Sequence, residues 1–173
     1  MTLAQLAARV FRETGESLSV TYRHDASGNP GSYAANFAEV TVDTWTGLVE
    51  VKEIVAAHDI GRALNPDFVR GQIYGGIQMN LGYALSEEMP LGPDGRVKSL
   101  GFSKYHVVNA PSMPPVKVVL VEAGEPGGPY GAKSIGESSA VATAPAVINA
   151  INHALGTRIT ALPATPERIL AAL

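Results

Sequence analysis

The chain has 173 residues, enough for one domain with a real core. Hydrophobic residues make up 46% and charged residues 17%, an apolar, weakly charged balance that points to a surface meant for a partner. The net charge of −3 gives no sign of a nucleic-acid or membrane surface, and the absence of cysteine excludes disulfides, thiolate-bound zinc and iron–sulfur clusters within these residues.

Leu3, Leu6, Ala7, Val10 and Phe11 recur at helical spacing, and Gly15 is placed to stop that helix. This stretch has arginines followed by an acid and no continuous apolar core, so it does not read as a signal peptide. No run approaches the roughly 18 apolar residues of a membrane span, and a cytoplasmic location is the default expectation. Residues 17–22 read as a short strand, and residues 24–32 as a Gly/Pro/Asn loop. The clearest hairpin follows. Over residues 33–42, Ala38, Val40 and Val42 share one face and Glu39, Thr41 and Asp43 the other; Thr44-Trp45-Thr46-Gly47 turns the chain, and residues 48–57 return. The alternation slips at Glu53, which predicts a bulge. Asn65-Pro66 then marks a helix start, with proline at the first helical position.

The helix predicted over residues 66–87 is unusual. Val69, Ile73, Ile77, Leu81 and Leu85 form an apolar stripe, yet Gly71, Gly75, Gly76 and Gly82 interrupt it. Each mid-helix glycine costs about 1 kcal/mol relative to alanine. Four of them imply a benefit elsewhere, most simply the close approach of another backbone or a large ligand. Gln72 and Gln78 lie among them and can both give and accept hydrogen bonds. Gln72 is the better ligand candidate, because glycine precedes it and two more follow about one turn later.

Pro93-Asp94-Gly95 is a turn, residues 97–108 are strand-like or extended, and the prolines of residues 109–115 keep that segment out of a central strand. Residues 116–122 form a β-branched strand. Val141, Val147, Ile148, Ile151 and Leu155 mark a helix that Gly156 stops and Pro145 either kinks or starts. Thr165-Pro166 opens a last short helix. Strands and helices mix without a βαβ rhythm, so the fold class is α+β, in a single domain over residues 1–173.

The stretch with most chemical content is Gly131-Ala132-Lys133-Ser134-Ile135-Gly136-Glu137-Ser138. Its glycines permit close backbone approach to a ligand. Lys133 supplies a cation beside the loop, and the amides of Ser134, Ile135 and Gly136 are expected near a helix N-terminus that favours anions. Glu137, in that place, suits a general base. The plain structural reading makes Glu137 a first-turn acid and Ser138 or Ser139 the cap.

Other chemistries fit less well. Residues 127–134, GGPYGAKS, miss the phosphate-loop pattern because Ala132 stands where glycine must precede the lysine. His24, His58, His106 and His153 have no spacing that sets two on one helix face for a metal. His58-Asp59 as a base and its orienter is disfavoured, because neighbours on a strand point to opposite faces; a strand-end histidine and a turn-capping aspartate is the simpler account.

Taken in order, FAEVTVDTWTGLVEVKEIVAAHDIGRALNP, GQIYGGIQMNLGYALSEE, VKVVLVE and YGAKSIGES resemble the C-terminal part of the molybdenum-binding subunit of the xanthine dehydrogenase/aldehyde oxidase family of molybdenum hydroxylases, over roughly residues 33–173. The EP and YG-x-KS-x-GE pattern lies nearest the bacterial xanthine dehydrogenase type. The resemblance implies roles. Glu137 matches the glutamate that takes the proton from a molybdenum-bound hydroxyl before that oxygen attacks an electron-poor substrate carbon and hydride passes to the sulfido ligand. Gln72 matches the glutamine that hydrogen-bonds the pterin, and Lys133, Ser134, Ile135 and Gly136 the loop lying against it. No side chain here need ligate the metal, which the pterin dithiolene holds.

The implied cofactor is of the molybdopterin type, with a cytosine dinucleotide form as one option. Iron–sulfur centres and FAD are expected on partner chains. The upstream portion of the molybdenum subunit, which supplies the rest of the pocket and most substrate contacts, is the expected first partner, and the chain alone is not expected to turn over a substrate. The alternative is a non-catalytic binding or assembly module that keeps the fold.

Overall fold

The computed structural model describes residues 1–23, 25, 28 and 30–173; the predicted loop over 24–32 lies in part outside them, as does His24. Among the described residues, three strands and five α-helices organise the chain. They are α1 (Leu3–Thr14), β1 (Ala34–Val42), β2 (Val49–Asp59), α2 (Pro66–Leu85), β3 (Val116–Val121), α3 (Ser138–Val141), α4 (Thr143–Leu155) and α5 (Pro166–Leu170). They build an α+β domain on one three-stranded sheet in the order β1-β2-β3.

Local chemistry sets most boundaries. Thr2 and Gln5 form a reciprocal capping box on α1, and Gly15 closes it in the left-handed conformation. Asp43 accepts hydrogen bonds from the Trp45 and Thr46 amides and so shapes the hairpin turn. β1 and β2 pair antiparallel from Ala34–His58 to Val42–Val49, with the register shifting between Glu39 and Val40, opposite the point where the alternation slips. Asn65 caps α2 through the Phe68 amide, and Pro66 occupies the first turn. β3 joins β2 in parallel, which requires a long crossover, here running through α2.

Two expectations fail. Residues 17–22 form no strand. Their alternation is a local signal, and no strand among the described residues pairs with them. Residues 97–108 form no strand: beyond an isolated Leu91–Val97 bridge across the Pro93-Asp94-Gly95 turn they bend into a turn over 101–105, where the Lys104 and Tyr105 amides donate to Gly101 O. Pro145 falls in the first turn of α4 and marks its start, with a break after α3.

One face of the sheet packs on α4, and α2 packs on α4 and α3. Ile54 and Ala56 of β2, Ile73, Ile77 and Leu81 of α2, and Val147 and Ile151 of α4 form the dry centre. α1 contributes nothing to it: Leu3 is 81% exposed and Phe11 59%. No helix among the described residues is long and apolar enough to cross a membrane.

Candidate cofactor site

Three segments converge beside the core: the end of β2 with its turn, the first turns of α2, and the loop over residues 132–137. Asp59, the last residue of β2, accepts the Gly61 amide at 3.2 Å and closes the turn. Gly61 has φ +64°, and a Cβ there would sit 2.5 Å from the Gly131 carbonyl oxygen, so two backbones cross where only glycine fits. The crossing is fastened by Lys133 N–H to Ile60 O at 2.9 Å, Gly124 N–H to Gly61 O at 2.9 Å and Glu125 N–H to Gly131 O at 3.0 Å. Tyr130 at φ 54° and Gly131 at φ 84° turn the chain into this crossing.

Between the three segments lies a cavity of about 420 Å³. Ile60, Leu64, Phe68 and Val69 give it an apolar wall; Arg62, Gln72, Lys133, Ile135 and Gly136 are among its other lining residues. Of the residues singled out in the sequence, the fold therefore gathers Gln72, Lys133, Ile135 and Gly136 around one space. Ser134 and Glu137 do not line it; both are exposed, Glu137 directly after Gly136. Gln78 is spent elsewhere, its amide donating to Val108 O at 2.6 Å.

Lys133 differs from expectation. Its ammonium is turned inward, to Asp59 Oδ2 at 2.7 Å and Gly31 O at 3.0 Å, with the Tyr33 ring centroid 5.9 Å away. The pair is nearly sequestered, with side chains 10% and 16% exposed. The Lys133 hydrogen bond, then the Gly61 amide, holds the Asp59 carboxyl below the usual aspartate value, and Asp59 raises the lysine in turn. The cation beside the loop is thus neutralised within the chain.

The loop's relation to a helix also needs correction. Glu137 itself flanks α3 with no side-chain cap, and Ser139, expected as a cap, instead donates to the Gly136 carbonyl at 2.7 Å. α3 has only four residues, so the electropositive N-terminus predicted for the loop is that of a single turn. Among the described residues, the N–H groups of Ser134, Ile135, Gly136 and Glu137 meet no acceptor. A built Cβ on Gly71, Gly75 or Gly136 would meet no atom within 4 Å.

His58 and Asp59 point to opposite faces, as strand geometry requires. His58 is fully buried with neither ring nitrogen partnered among the described residues, and burial lowers its pKa. The aspartate's long-range role was the residue function missed in the sequence. Its partner lies 74 positions away, and only the turn-capping half of its work had a local signal.

The donor set fits a flat, polar heterocycle such as a pterin. A glutamine side chain, a run of open amides, an apolar wall and glycine-bared backbone can meet its edges and its face. Among the described residues no three His, Cys, Asp or Glu side chains are grouped to hold a metal.

Comparison with known proteins agrees with this chemistry. The molybdopterin cofactor-binding domain family model matches residues 1–114. The xanthine dehydrogenase molybdenum-binding subunit of Escherichia coli O157:H7 is 36% identical over 172 residues, covering 98% of this chain and 23% of that protein. In structure, the aldehyde oxidoreductase from Desulfovibrio gigas matches with TM-score 0.76 and 36% identity, over 82% of this chain and 15% of that one. Quinoline 2-oxidoreductase from Pseudomonas putida 86 gives TM-score 0.74 and 32% identity, over 77% of this chain and 17% of that one. The chain thus spans about a quarter of the length of the xanthine dehydrogenase subunit it matches. With its open-amide loop and glycine-interrupted helix, it belongs to the molybdopterin cofactor-binding domain family, in the group of xanthine dehydrogenase- and aldehyde oxidoreductase-like proteins.

Proposed function

We propose that this chain forms one wall of the molybdenum–pterin site of a hydroxylase and carries its general base, Glu137. The substrate would be an electron-poor carbon of a purine, another N-heterocycle or an aldehyde, with water as the oxygen source. The observation that carries the reading is the run of four amides, 134–137, without an acceptor among the described residues; it passes Gln72 at Ile135 and Gly136 and ends at an exposed glutamate.

The residues divide the work. Gln72 offers a two-sided amide to the pterin edge, and the N–H groups of Ser134, Ile135 and Gly136 offer donors along the loop. Lys133 holds the root of that loop. Phe68, Ile60 and Ile135 keep water from the apolar side of the ligand, which strengthens each polar contact there. When bound, the cofactor supplies the two-electron redox chemistry and an activated oxygen. Glu137 removes the proton from the attacking oxygen; its exposure in this chain leaves it free to face a substrate held by the upstream portion of the subunit.

The same reading assigns the upstream molybdenum-subunit portion as the direct partner and places iron–sulfur and FAD groups on further chains, with a cytosine dinucleotide as one form of the pterin. It carries a cytoplasmic location. The test is Glu137→Gln in the complex with the upstream portion. Cofactor loading should persist while single-turnover reduction by substrate slows by about 10²–10⁴-fold, the usual worth of general-base assistance. Near-normal reduction in a fully loaded Glu137→Gln complex would leave the chain a non-catalytic module.

A further inference from the structure

We propose that Asp59 is the positioning residue of the 133–137 loop, clamping its root to the end of β2 through Lys133. The inference rests on the reading of that loop as the cofactor-facing, base-bearing segment. β2 is the central strand, paired with β1 on one side and β3 on the other, so Asp59 stands on the best-anchored backbone near the cavity. Its two carboxylate oxygens do different things. Oδ1 accepts the Gly61 amide and sets the turn; Oδ2 takes the Lys133 ammonium at 2.7 Å. Lys133 is therefore held by its side chain to Asp59 and Gly31 O and by its backbone N–H to Ile60 O at 2.9 Å.

Beyond that point the loop's ties are weaker: Ser32 Oγ donates to Ser134 O at 3.4 Å, and Ile135 packs against the core. The next four amides have no acceptor among the described residues, and the next strong tie is Ser139 Oγ to Gly136 O. The place of the open amides, and of Glu137 behind them, is thus set from the Lys133 side by this ion pair together with the Lys133 hydrogen bonds to Ile60 O and Gly31 O. Burial makes that pair sensitive to losing either member, since the remaining charge would be left without a partner away from water. It also answers why a lysine stands here: its donors go to Asp59 and Gly31, inside the chain and away from a ligand.

The experiment compares Asp59→Asn with Asp59→Glu in the complex with the upstream portion. Asparagine keeps the shape and an acceptor for Gly61 but drops the charge; glutamate keeps the charge and sacrifices the fit. Amide exchange at Lys133 should quicken by roughly tenfold or more in Asp59→Asn, the scale of losing one charge-assisted hydrogen bond. Turnover should fall by about 10²-fold at little-changed KM, as for a reacting group displaced by around 1 Å. Asp59→Glu should restore most of both. If Asp59→Asn matches wild type in exchange and turnover, or if it outperforms Asp59→Glu, Asp59 merely caps a turn and the proposal is overturned. The exchange readout does not need the cofactor. A wild-type complex that holds no pterin would defeat the functional reading, while the exchange at Lys133 would still decide the clamp.

Discussion

The helix α2 and the segment over residues 133–139 meet at two places one turn apart, and the two junctions are built differently. At Gly76 the junction is closed: a Cβ would sit 2.5 Å from Ser139 Oγ and 2.7 Å from its carbonyl carbon and oxygen. At Gln72 it is open, with a cavity of about 420 Å³ facing Ile135 and Gly136. Three of the four helix glycines, Gly71, Gly75 and Gly76, alike in sequence, therefore do different work. Gly76 is demanded by packing within this chain, whereas Gly71 and Gly75 have only free space in front of them. Interior packing explains the first; a ligand or the upstream portion is the natural explanation for the others.

Substitutions along α2 can break or sharpen that contrast. The largest effect should come from Gly76→Ala, which must push Ser139 and its backbone aside. A net loss of about 1–3 kcal/mol is expected in denaturant unfolding of the chain, the usual cost of overpacking. An unchanged midpoint would mean the closed junction yields easily and is no anchor. At the open junction, Gln72→Ala should leave the chain's own stability alone but weaken pterin retention in the complex by about 1–3 kcal/mol, the cost of a buried polar group left unmet. Full pterin content in that variant would make Gln72 a bystander. Gly75→Ala should do the reverse of Gly76→Ala: with nothing in the way of its methyl, it should raise the chain's stability by up to about 1 kcal/mol through helix propensity. If it also blocks cofactor loading, the free space in front of Gly75 belongs to the ligand or its neighbour.

The subtlest test is pH. His58 is buried neutral and its pKa is lowered by desolvation, so the unfolded chain binds a proton more readily than the folded one. That contribution is intact above about 6.5 and is lost as pH falls below that value. Chemical denaturation across this range should show stability declining on the acid side, and His58→Leu should flatten the decline.

How much of this could be read in the sequence depended on distance along the chain. Signals carried by a few neighbouring residues came through: the Asn65-Pro66 start of α2, the Gly15 and Gly156 stops, the Thr165 cap, and the hairpin with its slip near Glu53. The fold also sets Gln72, Ile135 and Gly136 around one cavity. Where the sequence misled, a partner was missing or remote. Residues 17–22 alternate like a strand but pair with none of the three strands. Lys133 looked like a free cation because Asp59 lies 74 residues upstream. Glu137 was expected at the start of a helix able to present a dipole, and Ala142 interrupts that helix after one turn. Amphipathic spacing in α1 correctly gave a helix, yet its apolar side is uncovered here, because periodicity reports that a face wants cover without saying what covers it.

The central claim is that the open junction receives the pterin, and amide exchange in the complex of this chain with the upstream portion tests it most directly. The N–H groups of Ser134, Ile135, Gly136 and Glu137, unpartnered among the described residues, should exchange freely in the cofactor-free complex. On loading, at least those of Ser134, Ile135 and Gly136 should become protected, together with the side-chain amide of Gln72. A complex that binds pterin stoichiometrically while these amides exchange as freely as before would place the cofactor elsewhere and contradict the account.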